Sequence, residues 1–272
     1  MSPKVSHTQA KAKAIIDVLA VFIIIVLGFK AINVSPLGEW ENQVIGLYFF
    51  EYVWVLFVPM AILIVTQRSF SDYGIDFKNP GNHLKVVVVG IIPIFVLSAI
   101  LFFLGWDSWK NTILVSIIEV VLLVMVAWML RNLAAPGKGF SIGILLFLVA
   151  GLVLVSPEAS VGKVVARLVY TFVFVALGEE ILFRGYIQSL VNEAFGRPYV
   201  FFGVNWGWGV IIGSLLFGIW HILNPFNPFI GQFDLMWQWG LWTFFLGLIL
   251  GLIREKTGSV FGPAILHGVI NF

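Results

Sequence analysis

An all-α polytopic membrane protein, with about eight transmembrane helices and a short C-terminal helix, is the fold class this chain predicts. Three observations predict it. The 272 residues are 60% hydrophobic and 11% charged, whereas a soluble domain averages roughly 45–50% apolar and about 25% charged. The mean hydropathy is +1.01. The apolar residues also fall in runs near twenty, the length that crosses a hydrocarbon layer about 30 Å thick.

In chain order, spans are expected at 14–33, 46–66, 84–104, 112–131, 140–156, 166–190, 206–223 and 233–253. The first follows a basic stretch, but no small-residue cleavage site succeeds it and further spans come at once. It reads as an uncleaved first helix rather than a signal peptide. The longest polar connection, Gln67 to His83, carries the turn signals Asp72-Tyr-Gly and Asn79-Pro-Gly and reads as a structured loop. Beyond a polar break at Arg254, Glu255 and Lys256, a last apolar run covers 258–272. As a helix it would rise about 22 Å, so it either crosses part of the layer or begins a longer helix.

Basic residues set the expected orientation. With the N-terminus in the cytoplasm, twelve Lys/Arg fall on the inner side, and only Lys30, Lys110, Lys163 and Arg167 fall outside. That asymmetry is the positive-inside signature. The formal net charge of +2 gives nucleic-acid binding no support. The absence of cysteine excludes disulfides, thiolate zinc sites and a cysteine nucleophile. No internal repeat is evident.

Polar residues are scarce in this setting, so those inside the spans carry the information, because ionisable groups at bilayer depth cost at least a few kcal/mol each. Glu179 and Glu180 sit mid-span. Glu180 and Arg184 are four apart with the acid first, the favourable order for a helical ion pair. Glu179 has no cation at that spacing, which suits a general base. Phe217 and His221 are again four apart, as are His267 and Asn271. The last pair puts an imidazole and a carboxamide on one helix face, two groups able to donate to an oxyanion. A structural ion pair or an interfacial histidine would explain any one of these; their conjunction points to activated water and a carbonyl. Glu51 and Glu119 are also intramembrane, with no motif attached, and read as structural. Gly247 and Gly251 form a small-xxx-small pair that predicts close helix packing, within the chain or between protomers. Straight helices would put Glu179 and His267 near mid-membrane, yet His221 near the outer end of its span, so a deeper or broken helix is expected there.

The stretches Gly178-Glu-Glu-Ile-Leu-Phe-Arg-Gly185, Phe217-Gly-Ile-Trp-His221 and Pro263-Ala-Ile-Leu-His-Gly-Val-Ile-Asn271 resemble the CAAX prenyl protease type II and bacteriocin-processing (Abi) family of intramembrane endopeptidases. The resemblance covers about residues 166 to 272. It implies a division into N-terminal helices of unknown role, 1–160, and a catalytic core, 161–272, in the last four helices. It implies Glu179 as the base that activates water, His221 as a holder of that water, His267 and Asn271 as oxyanion stabilisers, and Glu180, Arg184 and Phe217 as support. A peptide or lipidated protein, a prenylated CAAX substrate among them, is the implied partner, in a setting of membrane lipid. Two Glu and two His are compatible with zinc; no metal or other cofactor is assigned. Two further functions use the same residues. A non-catalytic scaffold or immunity factor of this fold would have no need to keep them, and a proton-coupled transporter would predict repeated halves, which the sequence lacks. Substrate identity and oligomeric state are not specified by the sequence.

Overall fold

The computed structural model describes residues 7–76, 109–131 and 161–271, together with positions 83, 86, 87, 90 and 91. Among these residues the architecture is helical apart from one hairpin. The helices are α1 (His7–Asn33), α2 (Pro36–Val44), α3 (Phe49–Val65), α4 (Trp109–Arg131), α5, α6 (Trp208–Ile222), α7 (Trp237–Thr257) and α8 (Phe261–Asn271). Helix α5 is five stretches end to end: Val161–Val169, Tyr170–Leu177, Gly178–Glu180, Ile181–Ile187 and Gln188–Phe195, the second and fourth π-helical. Strands β1 (Tyr199–Phe201) and β2 (Val204–Trp206) pair antiparallel across Phe202-Gly203. Both turn residues have positive φ, the conformation of a two-residue hairpin turn.

Helices thus occupy the apolar runs expected at 14–33, 46–66, 112–131, 166–190, 206–223, 233–253 and 258–272. The runs 140–156 and, apart from four helical positions, 84–104 lie outside the described residues, as does the turn at Asn79. Two helices, His7–Asn33 and Thr112–Arg131, are long and apolar enough to cross a membrane. Both turn isoleucines outward: Ile16, Ile23 and Ile24 on α1, Ile113 and Ile117 on α4 are each more than half exposed. An apolar face of that extent is suited to lipid.

Two elements were not legible in the hydropathy. Helix α2 begins where Ser35 accepts from the Gly38 amide at 3.3 Å, with Pro36 at its first position, a side-chain cap with proline pre-set for the first turn. Glu41 of α2 then accepts from the Phe49 and Phe50 amides, filling orphan donors at the start of α3. The other element is the hairpin, whose six strand residues are too few to show a period.

The polar break expected at Arg254 is instead the last turns of α7, and its residues fasten the hairpin end of the bundle. Glu255 accepts from Gln188 at 2.6 Å, Asn192 at 2.8 Å and Arg197 at 2.6 Å. Arg254 donates to Ser189 Oγ at 2.8 Å, and Asn192 accepts from the Gly209 amide at 2.9 Å. This net ties α5, α6 and α7 together. The connection after α3 closes through Val260 N to Gly74 O at 2.9 Å, with Gly74 at φ +72°.

Small residues set the helix separations. A Cβ on Gly209 would strike the Gln188 carbonyl, one on Gly213 would meet the Phe183 carbonyl at 3.1 Å, and one on Gly247 would meet Ser214 Cα at 3.0 Å. The Gly247/Gly251 pair therefore packs inside the chain, Gly247 on α6 and Gly251 between Val210 and Gln188. Overpacking at such contacts costs about 1–3 kcal/mol. Gly209→Ala and Gly247→Ala are each expected to lower the thermal midpoint of the purified protein by roughly 2–12 °C, read by intrinsic fluorescence. An unchanged midpoint would mean that these helices lie further apart.

Candidate active site

The site is organised by α5. Its short α-helical turn Gly178–Glu180 lies between the two π-helical stretches, a form enriched at functional sites, and turns two consecutive carboxyl groups toward different neighbours. Both glutamates are fully buried. Helix α3 packs behind them: a Cβ on Gly178 would lie 3.6 Å from Leu56 Cβ and 3.8 Å from the Tyr52 carbonyl, in ordinary contact.

Glu180 is the structurally committed acid. Its Oε2 lies 3.2 Å from Arg184 Nε and its Oε1 lies 3.0 Å from His267 Nδ1. Arg184 is itself buried. It donates from Nη2 to the Gly247 carbonyl at 3.3 Å and lays its guanidinium 4.3 Å from the centre of the Phe217 ring. The spacing argument for a Glu180–Arg184 pair therefore holds in space, and Phe217 supplies the aromatic face that a planar cation prefers.

Glu179 meets neutral groups. Its Oε1 accepts from Trp220 Nε1 at 3.2 Å, and the Tyr52 hydroxyl of α3 is an electrostatic neighbour. Its Oε2 has no hydrogen-bond partner among the described residues and lies 3.7 Å from His267 Nε2. His267 thus sits across the two acids, one nitrogen toward each.

His221 arrives by a short helix. Helix α6 has 15 residues, a rise of about 22 Å, less than the thickness of the hydrocarbon layer. It ends ahead of Asn224-Pro225, since the residue before a proline is pushed out of the helical region. The freed Asn224 carbonyl is met by the Lys30 ammonium of α1 at 2.8 Å, a cation at a helix C-terminus. The contact of Trp220 with Glu179 brings the end of α6, and with it His221, beside the two acids. His221 Nδ1 is 2.9 Å from the Phe217 carbonyl. A carbonyl accepts, so Nδ1 carries the proton, and a neutral ring leaves Nε2 as an acceptor. The Phe217 ring stands between the two imidazoles, 4.6 Å from His221 and 5.5 Å from His267.

Glu179, Glu180, Arg184, Phe217, His221 and His267 are thus brought together. Asn271 is not: it is the last described residue of α8 and is exposed, one turn beyond His267. Glu51 and Glu119 are buried elsewhere, Glu51 receiving Asn33 at 3.3 Å. Sequence reasoning missed Trp220 and Tyr52. Trp220 immediately precedes His221, and Tyr52 follows Glu51, so adjacency to a polar residue was the available signal. Among the described residues no three His, Cys, Asp or Glu side chains form a set that could hold a metal ion.

Residues 161–272 match the family model described as type II CAAX prenyl endopeptidase Rce1-like. This part of the chain is an Rce1-like domain. No curated protein and no solved structure matches the chain. The Rce1-like domain begins with α5 and contains every residue of the cluster except Tyr52, while α1 to α4 lie outside it. The match agrees with the resemblance read from the three motifs.

Removing one partner of a buried ion pair costs about 3–5 kcal/mol, because it strands the other charge. Arg184→Ala is expected to destabilise the protein by that amount, and Arg184→Lys by less, since it keeps the charge and loses the stacking on Phe217. Thermal unfolding in detergent checks the order. Equal midpoints for Arg184→Ala and the unaltered protein would contradict the buried pair.

Proposed function

We propose that the chain is an intramembrane endopeptidase that hydrolyses a peptide bond near the cytoplasmic face of a multi-pass bundle whose N-terminus is cytoplasmic. The catalytic core is 161–272, its last four helices, and the substrate is a peptide or lipidated protein, a prenylated CAAX-type C-terminus being the form the domain family suggests. Glu179 Oε2 carries the reading: it is a buried carboxylate oxygen without a hydrogen-bond partner among the described residues, 3.7 Å from an imidazole nitrogen.

Water is held by accepting groups, Glu179 Oε2 and His221 Nε2. Glu179 takes a proton as the water oxygen bonds to the scissile carbonyl carbon. The carbonyl oxygen becomes an oxyanion that accepts from Nε2–H of His267 in its doubly protonated form, whose Nδ1–H donates to Glu180. Glu179 returns the proton to the departing amide nitrogen as the C–N bond breaks, giving a carboxylic acid and an amine. Proton transfer from a positioned base contributes about 10²–10⁴-fold.

The test is cleavage of a farnesylated CAAX peptide, and of its unmodified counterpart, by purified protein in lipid nanodiscs. Glu179→Gln is expected to lower turnover by about 10²–10⁴-fold while leaving the thermal midpoint close to that of the unaltered protein. Equal cleavage by both proteins would remove Glu179 from the mechanism. Absence of cleavage with full biological rescue by Glu179→Gln would favour the non-catalytic scaffold.

A further inference from the structure

The Rce1-like domain does not contain all the groups that face its proposed base. Tyr52 belongs to α3, more than a hundred residues before the domain starts, yet its hydroxyl borders the Glu179 carboxyl. The contact is built in from both sides. Helix α3 packs on the Gly178–Glu180 turn, with the Tyr52 carbonyl 3.8 Å from the position of a Cβ on Gly178.

The Tyr52 ring is then fixed by two edge-to-face contacts, with Phe29 at 5.5 Å and Tyr170 at 5.9 Å between ring centres. Phe29 of α1 stands edge-on to Trp220 as well, at 5.1 Å. The same aromatic cluster thereby fixes both neutral polar groups beside Glu179: the Trp220 N–H, 3.2 Å from Oε1, and the Tyr52 phenol. Next to Phe29, Lys30 holds the end of the helix that carries Trp220.

We propose that Tyr52, with Phe29 and Lys30 behind it, makes the N-terminal helices part of the active site: Tyr52 is a positioning residue whose hydroxyl, together with Trp220, orients Glu179 so that Oε2 faces His267. The inference deepens the peptidase reading and rests on it for its meaning, although the placement itself can be tested without any substrate. Aromatic O–H and N–H donors suit this task. They stabilise and orient a carboxylate without neutralising it by a full cation, whereas the arginine on Glu180 commits that acid to structure. The charged and titratable groups that face Glu179 are Glu180, Arg184 and Tyr170 on α5, Tyr52 on α3 and His267 on α8, and α6 brings Trp220.

The experiment is labelling of Glu179 by dicyclohexylcarbodiimide, which reacts with protonated carboxyl groups in apolar surroundings, followed across pH by peptide mass spectrometry on the full-length protein. Tyr52→Phe removes one oxygen and keeps the ring packing, so its thermal midpoint serves as the fold control. The expected result is a labelling profile moved to higher pH by roughly one unit, since a hydrogen bond to a charged group is worth about that much in proton affinity. Trp220→Phe is expected to move it in the same direction. In cleavage assays Tyr52→Phe lowers kcat with KM little changed, and the acid limb of the rate profile moves with the labelling profile. Superimposable labelling profiles for Tyr52→Phe, Trp220→Phe and the unaltered protein would overturn the proposal. A labelling shift in a protein without peptidase activity would keep the placement and defeat the peptidase reading instead.

Discussion

Two neighbouring carboxyl groups in an apolar layer must each find donors, and that requirement organises the C-terminal half of this protein. A buried charge is tolerated when it is paired and hydrogen-bonded. Glu180 meets the condition with Arg184 and His267; Glu179 meets it with an indole and lies beside a phenol. The difference in partners divides the labour. One acid is locked to a cation and to the imidazole it aims, and the other, among the described residues, has only that imidazole, 3.7 Å from its Oε2, as an ion-pair partner. Helices α3, α6, α7 and α8 all contribute to satisfying this pair, so the bundle cannot be rearranged without stranding a charge.

Close helix approach is what lets so few polar groups reach one another. Gly209, Gly213 and Gly247 bring α5, α6 and α7 to backbone contact, and the Arg184 guanidinium consequently finds the Gly247 carbonyl across the interface. The same compactness allows α6 to stop short. A helix crossing the whole layer would carry its C-terminus past the acids; one of 15 residues ends beside them. Just past its end the chain turns, and Lys30 donates to the Asn224 carbonyl there, which lowers the cost of a free carbonyl in lipid.

Much of this was legible in the sequence, and the rest was not for physical reasons. The apolar runs located the described helices other than α2 because a helix facing lipid is apolar over its whole length. The spacing of Glu180 to Arg184 predicted a pair that the structure contains, since a separation of four keeps residues on one face even where the helix widens. What hydropathy could not show was anything decided between helices. Trp220 and Tyr52 read as apolar span residues until a partner from another helix meets their polar tips. The role of Gly209 depends on the Gln188 carbonyl opposite, the hairpin is too short for periodicity, and the end of α6 depends on Pro225. His267 was legible as a polar face with Asn271, but its position across both acids was not, and Asn271 lies apart from the cluster.

The central claim is that Glu179 acts as a base on water and not as a covalent nucleophile, inside a site whose other acid is structural. A single turnover in ¹⁸O-labelled water measures it most directly, with mass spectrometry of both the released peptide acid and the enzyme peptide that bears Glu179. The account predicts one heavy oxygen in the new product carboxyl and none in Glu179. Heavy oxygen in the Glu179 side chain, or no cleaved product from any CAAX peptide, would contradict it.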